Sequence, residues 1–183
     1  DKFKINNGTS LGTDVPIKTT AGDYRFEYFF DALRNGAPNI KTIEMRNFNN
    51  YDNPHYNDPS MTSMKNMFKD FTKVETIDLS DCNTWNITDM SGMFDNCSQL
   101  NNLDLSSFNT RKVTTMEGMF RQTSSLKQLN ISNFDFGETT SLKYFLYCSG
   151  IEVLPMYNFS STRNVTDMAF MFCLCANLQG LPG

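Results

Sequence analysis

The sequence predicts an α/β solenoid, a fold in which copies of one short strand-turn-helix unit stack side by side. The first observation is a Met-x-x-Met-Phe motif that starts at Met64 and recurs with a 26-residue period. Its later copies start at Met90, Met116, Leu142 (a degenerate copy) and Met168. The second observation is a short apolar segment that follows each motif. One unit cannot bury its apolar face alone, so we expect the copies to stack, with these five side chains in one interior column.

The motif segment of each unit is predicted to be a short helix. Its residues at i, i+3, i+4 and i+7 are apolar, as one helical face requires, and in one copy they are Met90, Met93, Phe94 and Cys97. A threonine stands two residues before every motif, and its hydroxyl is expected to cap the first turn. The threonines are Thr62, Thr88, Thr114, Thr140 and Thr166.

A Leu-x-x-Leu-x-Leu segment follows each motif and is predicted to be a strand, because its end alternates between apolar and polar residues. Its copies begin at Ile40, Val74, Leu100, Leu126, Ile151 and Leu178. The step from Ile40 to Val74 exceeds the repeat period, which indicates an eight-residue insertion in an array of six units. Aromatic residues in the return turn are expected to stack as a phenylalanine spine. They are Phe48, Phe108, Phe134 and Phe159, with Cys82 as the exception.

These columns carry a family resemblance. The stretch Phe94-x-x-Cys97-x-x-Leu100-x-x-Leu103-x-Leu105 resembles the repeat of BspA-like bacterial leucine-rich-repeat surface proteins. The resemblance covers roughly residues 24–183. It implies a leucine-rich-repeat solenoid of about six 26-residue strand-turn-helix units in a secreted or surface-anchored protein. Such a protein would bind a protein or glycan ligand on a host or a neighbouring microbe. The insertion and the segment 1–23 depart from the family pattern.

Two regions of different character are predicted. Residues 1–23 match no repeat and are expected to form an N-terminal cap over the first unit, because the ends of a solenoid need covering. Residues 24–183 are expected to form the leucine-rich-repeat solenoid, with an insertion loop at about 47–60. The chain starts at Asp1 without an initiator Met or a signal peptide, so we expect a processed or trimmed N-terminus.

Composition excludes several classes of function. A net charge of -4 argues against a general nucleic-acid binder, which needs a basic surface. No apolar run approaches the roughly 20 residues that cross a bilayer, so no membrane insertion is expected. Cys173-x-Cys175 is not a zinc spacing, and no metal or cofactor is expected. The cysteines are expected to be unpaired core residues, and they are Cys82, Cys97, Cys148, Cys173 and Cys175.

Residues between the strand leucines are predicted to point outward as a polar, mildly acidic ladder. One column holds Glu44, Asp78, Asp104 and Asn130, and a second holds Thr42, Thr76, Asn102 and Gln128. Stacked repeats often bind partners through such extended faces. The alternative is that these residues are ordinary solvated polar positions with no binding role.

The expected function is an extracellular or cell-surface adhesion module that binds a protein or glycan and has no catalytic activity, with the first column among its contacts.

The insertion loop adds Tyr51 and Tyr56, which suit a peptide or sugar ligand. Contact with the partner is therefore expected to concentrate in the N-terminal half, where the loop and the ladder meet. The alternative is that the insertion is an ordinary surface loop with no binding role. A second hypothesis is a carbohydrate-processing or other hydrolytic role centred on this loop. Its acid–base set would be Asp52, His55 and Asp58, although a glycosidase needs two carboxyls held across a cleft. Calcium binding by this loop is a further open alternative, although the loop lacks the regular ligand spacing of a calcium-binding loop.

Overall fold

The computed structural model describes residues 2–4, 26–36, 38–45, 61–153, 159 and 161–179. In chain order the elements are β1 (Lys2–Lys4), α1 (Phe26–Gly36), β2 (Thr42–Glu44), β3 (Thr76–Asp78), β4 (Asn102–Asp104) and β5 (Gln128–Asn130). The strands form one five-stranded sheet in the order β1-β2-β3-β4-β5, and every neighbouring pair is parallel. Residues 2–4 therefore add a strand at the N-terminal edge of the repeats, next to β2.

A second parallel ladder runs along the other side of the molecule. Single β-bridges join Ser63, Asp89, Thr115, Ser141 and Asp167, each to the next in that order. Each 26-residue unit therefore makes one circuit that crosses both ladders, and we call that circuit a coil. Successive coils lie side by side in parallel register, about 4.8 Å apart as neighbouring strands are.

The prediction of an α/β leucine-rich-repeat solenoid built from strand-turn-helix units is wrong, because the described motif segments from Met64 onward contain no helix. In the described ranges 61–153 and 161–179 the motif segments are series of turns, and the described helix α1 belongs to the first unit. The fold is mostly β. A left-handed backbone conformation interrupts each motif segment twice, as at Asn66 (φ 56°) and Asp70 (φ 62°). A right-handed helix cannot continue through such residues.

Backbone hydrogen bonds between coils replace the expected helical bonds. In the motif that starts at Met64, every second amide donates to a carbonyl of the next coil. The pairs are Met64 to Asp89 (2.9 Å), Asn66 to Ser91 (2.9 Å), Phe68 to Met93 (2.8 Å) and Asp70 to Asp95 (2.8 Å). The amides between them close tight turns, as Met67 does with the Met64 carbonyl at 3.2 Å. The apolar spacing that predicted a helix is thus met by consecutive turns.

The predicted interior column, formed by the first residue of each motif copy, is confirmed for four of its five members. Met64, Met90, Met116 and Leu142 are buried in one continuous apolar core. Met168 is 46% exposed, so that part of the prediction is wrong. It belongs to the last described coil, and within the described part of the chain no further coil packs against it.

The phenylalanine stack follows a different column from the one predicted. Rings of Phe30, Phe68, Phe94, Phe120 and Phe145 follow one another with centroid distances of 5.0, 5.4, 5.6 and 5.2 Å. Phe108 and Phe134 of the predicted spine are buried, but Phe159 stacks on Phe136 at 4.9 Å. Phe48 lies outside the described residues. The ring stack therefore lies under the turns of the motif, and its first member comes from α1.

The threonine column does not cap helices. From Thr88 onward, each hydroxyl donates instead to the backbone carbonyl of the threonine one coil earlier, as Thr114 does to Thr88 at 3.1 Å. The residue that follows the threonine caps the turn. Asp89 Oδ1, for example, accepts a hydrogen bond from the Ser91 amide at 2.8 Å. The predicted N-cap role is thus wrong, because the neighbouring coil supplies an acceptor that one isolated unit lacks.

All five cysteines are free thiols, and three of them donate to carbonyls of an earlier coil. The bonds are Cys82 to Met45 (3.0 Å), Cys97 to Phe68 (3.0 Å) and Cys175 to Leu146 (2.9 Å). Burial raises the pKa of the Cys97 thiol far above its ordinary value. Cys82 and Cys97 are buried core residues with a weak hydrogen-bond donor, as expected, whereas Cys148, Cys173 and Cys175 are only partly buried.

Candidate functional site

The outward face of β3, β4 and β5 forms the floor of an open groove of about 880 Å³. Four successive coils line it, from Thr76 at one end to Val153 at the other. The middle residue of each strand points into the core or partly into it, whereas the flanking residues face the groove. The groove is thus built on the most regular part of the fold, and its side chains project from fixed strand positions.

The groove floor carries two polar rows. One consists of Thr76, Asn102 and Gln128, and the other of Asp78, Asp104 and Asn130. Parallel pairing places Asp104 directly beside Asn130, and Glu44 directly beside Asp78. The sequence-predicted column Glu44, Asp78, Asp104, Asn130 therefore lies side by side across four strands, with Glu44 continuing the row beyond the groove. The groove extends from Asp78 toward the C-terminal coils.

The acidic row also ends the strands, a role that sequence reasoning missed. Asp78 Oδ1 accepts a hydrogen bond from the Ser80 amide at 3.1 Å, and Asp104 Oδ1 accepts one from the Ser106 amide at 2.8 Å. The Asn130 side chain does the same with the amide of Ser132 at 3.1 Å. An Asp or Asn followed two residues later by Ser at a strand end is the sequence signal for this Asx turn. These Asx turns fix the orientation of the side chains in the row.

Asp104 is held in its ionised form. The side chain of Ser106 is the largest cause that lowers the pKa of the Asp104 carboxyl below its ordinary value. The Ser106 amide and the Asn130 side chain act in the same direction, and slight burial opposes them. Hydrogen bonds that favour a carboxylate make it a weaker proton acceptor. Asp104 therefore carries a negative charge over the whole range of physiological pH.

Among the described residues, the rim of the groove holds one ion pair. Lys127 Nζ lies 3.8 Å from Glu152 Oε1, which reaches it from the following coil. A similar pair, Lys41 and Glu75 at 2.7 Å, occupies the corresponding position three coils earlier. At the C-terminal end of the groove the Val153 side chain is 67% exposed. The site thus combines an acidic row, a neutralised rim pair and an apolar end.

Residues 46–60 lie outside the described residues, and with them Tyr51, Tyr56 and the acid–base set Asp52, His55 and Asp58. Convergence of loop and ladder therefore stays a prediction. Among the described residues, no group of three or more His, Cys, Asp or Glu side chains could hold a metal ion. No helix in the described part of the chain has the length and hydropathy to span a membrane.

A buried charge away from the groove joins three coils. Asp95 is only 6% exposed and lies between Lys69 Nζ at 3.3 Å and Arg121 Nε at 3.5 Å. The three residues occupy one column of the repeat, so alternating charge in that column was the signal that could have revealed the contact. Lys69 and Arg121 belong to the coils on either side of Asp95, and both cations are partly exposed. The triad is therefore a structural contact between coils.

The fold and the groove define the class of this protein, which is a repeat protein of stacked, mostly β coils with one extended polar face. A family model described as "Mycoplasma protein of unknown function, DUF285" matches residues 61–181. The match spans about two thirds of the chain, so the chain belongs to this family. Searches of curated proteins and of solved structures found no match.

Proposed function

We propose that this chain is a binding module that holds an extended segment of a partner, protein or glycan, in the groove over β3, β4 and β5, and that it catalyses no reaction. One observation carries the proposal. The groove presents the outward side chains of four successive coils as two straight polar rows. An extended partner can meet the same kind of contact at each coil, as in other stacked repeats.

The rigidity of the floor supports a binding role. The acidic side chains are held by Asx turns, and the strands beneath them rest on buried Ile77 and Leu103. Side chains that are ordered before association lose less conformational entropy when a partner arrives. An ordered polar face of this kind is thus suited to binding.

The electrostatics at Asp104 are unsuited to acid–base catalysis. A catalytic acid needs a carboxyl whose pKa is raised, usually by burial beside another negative charge. In the groove the pKa of Asp104 is lowered, and the carboxyl is exposed to solvent. This contrast favours binding over hydrolysis.

An extracellular or cell-surface location, with the partner on a host or a neighbouring microbe, is part of the proposal. Its support is the resemblance of the Phe94–Leu105 repeat to BspA-like surface proteins. Secretion reporters fused to the complete gene product would test the location independently of the groove.

The binding proposal is tested with peptide and glycan arrays probed by the intact chain and by Asn102→Trp. Asn102 lies in the middle of the groove, and an aromatic side chain there is tolerated by a strand and fills the space. The control is Gln99→Trp, an exposed residue in the turn before β4 that does not line the groove. We expect array signals to disappear for Asn102→Trp and to persist for the control. Equal binding by both variants would overturn the proposal.

A further inference from the structure

We infer that the last described coil, which contains the motif starting at Met168, docks a repeat coil of a partner protein along its open edge by backbone hydrogen bonds. The inference goes beyond the proposed function, because this edge belongs to residues 161–179 and none of them lines the groove. It rests on the direction of the backbone hydrogen bonds between coils and on exposed apolar side chains in the same coil.

The backbone hydrogen bonds between described motif segments all point the same way along the stack. From the copy at Met64 to the copy at Leu142, the amides of the first, third, fifth and seventh motif residues donate to the next coil, at 2.8–3.2 Å. The Tyr144 amide, for example, donates to the carbonyl of Ala169, whose peptide group also carries the amide of Phe170. The peptide groups therefore form four files of aligned dipoles, with their positive ends at the last described coil.

Each file ends in an amide that has no hydrogen-bond acceptor among the described residues. The four terminal amides are those of Met168, Phe170, Phe172 and Leu174. Hydrogen bonds in a chain polarise one another, so the amide at the end of a file is a stronger donor than an isolated amide. This edge offers donors only, and a matching partner must offer a row of acceptors.

The same coil exposes apolar side chains along this edge. Met168 is 46% exposed, Phe170 56% and Leu174 61%. In the preceding coil the equivalent Leu142 is fully buried, and the Tyr144 ring is covered by the Phe170 ring, which stacks on it at 5.2 Å. One more coil in the same register would cover Met168 and Phe170 in the same way. The apolar surface and the donor row thus favour the same occupant.

A second copy of this chain does not fit the edge in either orientation. Tail to tail, donors would face donors. Head to tail, the copy would have to present the coil of Met64, where the Phe30 ring of α1 already packs on Phe68 at 5.0 Å. The amides of a helix bond within the helix, so α1 closes that end by side-chain packing.

An ordinary extended strand also matches the edge poorly. Along one edge, a β-strand presents both amide donors and carbonyl acceptors. Its donors would face the donors of this coil. A coil that follows the same series of turns presents its alternate carbonyls in one direction, as Asp167 and Ala169 do toward the coil before them. The partner is therefore a protein that carries a coil of this repeat type with its acceptor edge free.

The test uses a fluorescent peptide with the sequence of residues 87–112, which is one coil of this chain. A control peptide carries Gly92→Val, because a β-branched residue disfavours the left-handed conformation (φ 61°) that the turns require. Binding to the intact chain is measured by anisotropy in reducing buffer. We expect the unaltered peptide to bind at least fivefold more tightly than the control peptide.

A matched pair of lysine variants locates the site. Leu174→Lys places a charge on the edge, and charged side chains on an edge oppose pairing with another chain. Trp85→Lys makes the same kind of change at an apolar side chain that is 49% exposed and lies in a return turn. We expect Leu174→Lys to weaken peptide binding at least fivefold and Trp85→Lys to change it less than twofold. Circular dichroism verifies that both variants are folded.

Hydrogen exchange distinguishes backbone pairing from simple adhesion to an apolar surface. We expect bound peptide to slow exchange at the four terminal amides at least tenfold. The amides of Met171 and Cys173 already close turns within the coil, at 3.1 and 3.2 Å, and should change less than threefold. NMR resolves the individual amides.

Each contrary outcome overturns the inference. These outcomes are equal binding of the two peptides, no binding of either, equal effects of the two lysine variants, and unchanged exchange at the four terminal amides. Self-association of the intact chain that Leu174→Lys abolishes would make a second copy the occupant, and it overturns the inference as well. None of these results bears on the groove, whose array test decides the proposed function separately.

Discussion

The hydroxyl of Thr88 donates a hydrogen bond to the backbone carbonyl of Thr62, 3.1 Å away and one repeat earlier in the chain. The amide of Thr88 donates to the same carbonyl at 2.7 Å. One threonine thus contributes two bonds to the contact between coils. The bonds recur at Thr114, Thr140 and Thr166, so the 26-residue period of the sequence is also the period of the hydrogen bonds.

Thr114→Val tests how much one such hydroxyl contributes. The side chain is exposed, and water can replace the lost donor, so we expect a decrease in the free energy of unfolding of less than about 1 kcal/mol. Thr123→Val is the buried comparison. Its hydroxyl donates to the Phe120 carbonyl at 2.8 Å, and we expect a loss of about 1–3 kcal/mol. Urea denaturation measures both, and equal losses would contradict the assignment of the threonine ladder to the surface.

Met90→Asp is expected to unfold the middle of the coil stack. The Met90 side chain is fully buried, and an unpaired carboxylate there costs several kcal/mol. Met168→Asp makes the same change in the same column, where the side chain is 46% exposed, and should cost about 1 kcal/mol or less. Circular dichroism and thermal unfolding compare the two. A folded Met90→Asp variant as stable as Met168→Asp would refute the interior column.

Gly150→Ala is expected to be among the most disruptive small substitutions in the chain. An added Cβ would lie 2.2 Å from the backbone carbonyl oxygen of Ser124, which cannot move without disturbing the preceding coil. Gly118→Ala is the control. Its Cβ would find only the Arg121 side chain, at 3.7 Å, and the cost is that of a left-handed conformation (φ 60°), about 1 kcal/mol. Thermal melts in which Gly118→Ala is the less stable variant would contradict this ranking.

Asp104 is expected to make stability depend on pH in the acid range. Its pKa is lower in the folded state, so its contribution is present above the unfolded carboxyl pKa of about 3.9 and is lost as pH falls through the folded pKa. Because the Ser106 side chain is the largest cause, Ser106→Ala should raise the pKa of Asp104 toward its ordinary value. NMR titration of the Asp104 carboxyl measures the shift, with Ser107→Ala as the control. An unchanged titration in Ser106→Ala would show that the Ser106 side chain does not lower the pKa.

The helix prediction failed for a reason visible at Met90, Met93 and Phe94. Their i, i+3, i+4 spacing suits one face of a helix, but it suits consecutive turns equally well. Turns form instead of a helix because the Met90 amide donates to the carbonyl of Thr115 in the next coil, at 3.1 Å. That partner belongs to the following repeat, so one unit taken alone does not contain it. The Asn and Gly residues at Asn66, Gly92 and Gly118 were the local signal for turns, since they favour left-handed conformations.

The groove was predictable only in part. Alternation within each strand placed Asp78 and Asp104 in one outward column, and the structure puts them on neighbouring strands. The ion pair between Lys127 and Glu152 depends on the offset between two coils, and the sequence contains one deleted residue at that point.

The sequence by itself determined the 26-residue repeat, the apolar column through Met64, Met90, Met116 and Leu142, and the polar column through Asp78 and Asp104. These follow from side-chain polarity, which is a property of each residue and recurs with the repeat. The tertiary structure decided the backbone path, the ring stack from Phe30 to Phe145 and the shape of the groove. The physical reason is that the backbone amides of the motif find their acceptors in the neighbouring coil, so the conformation of one unit is set only when the next lies beside it.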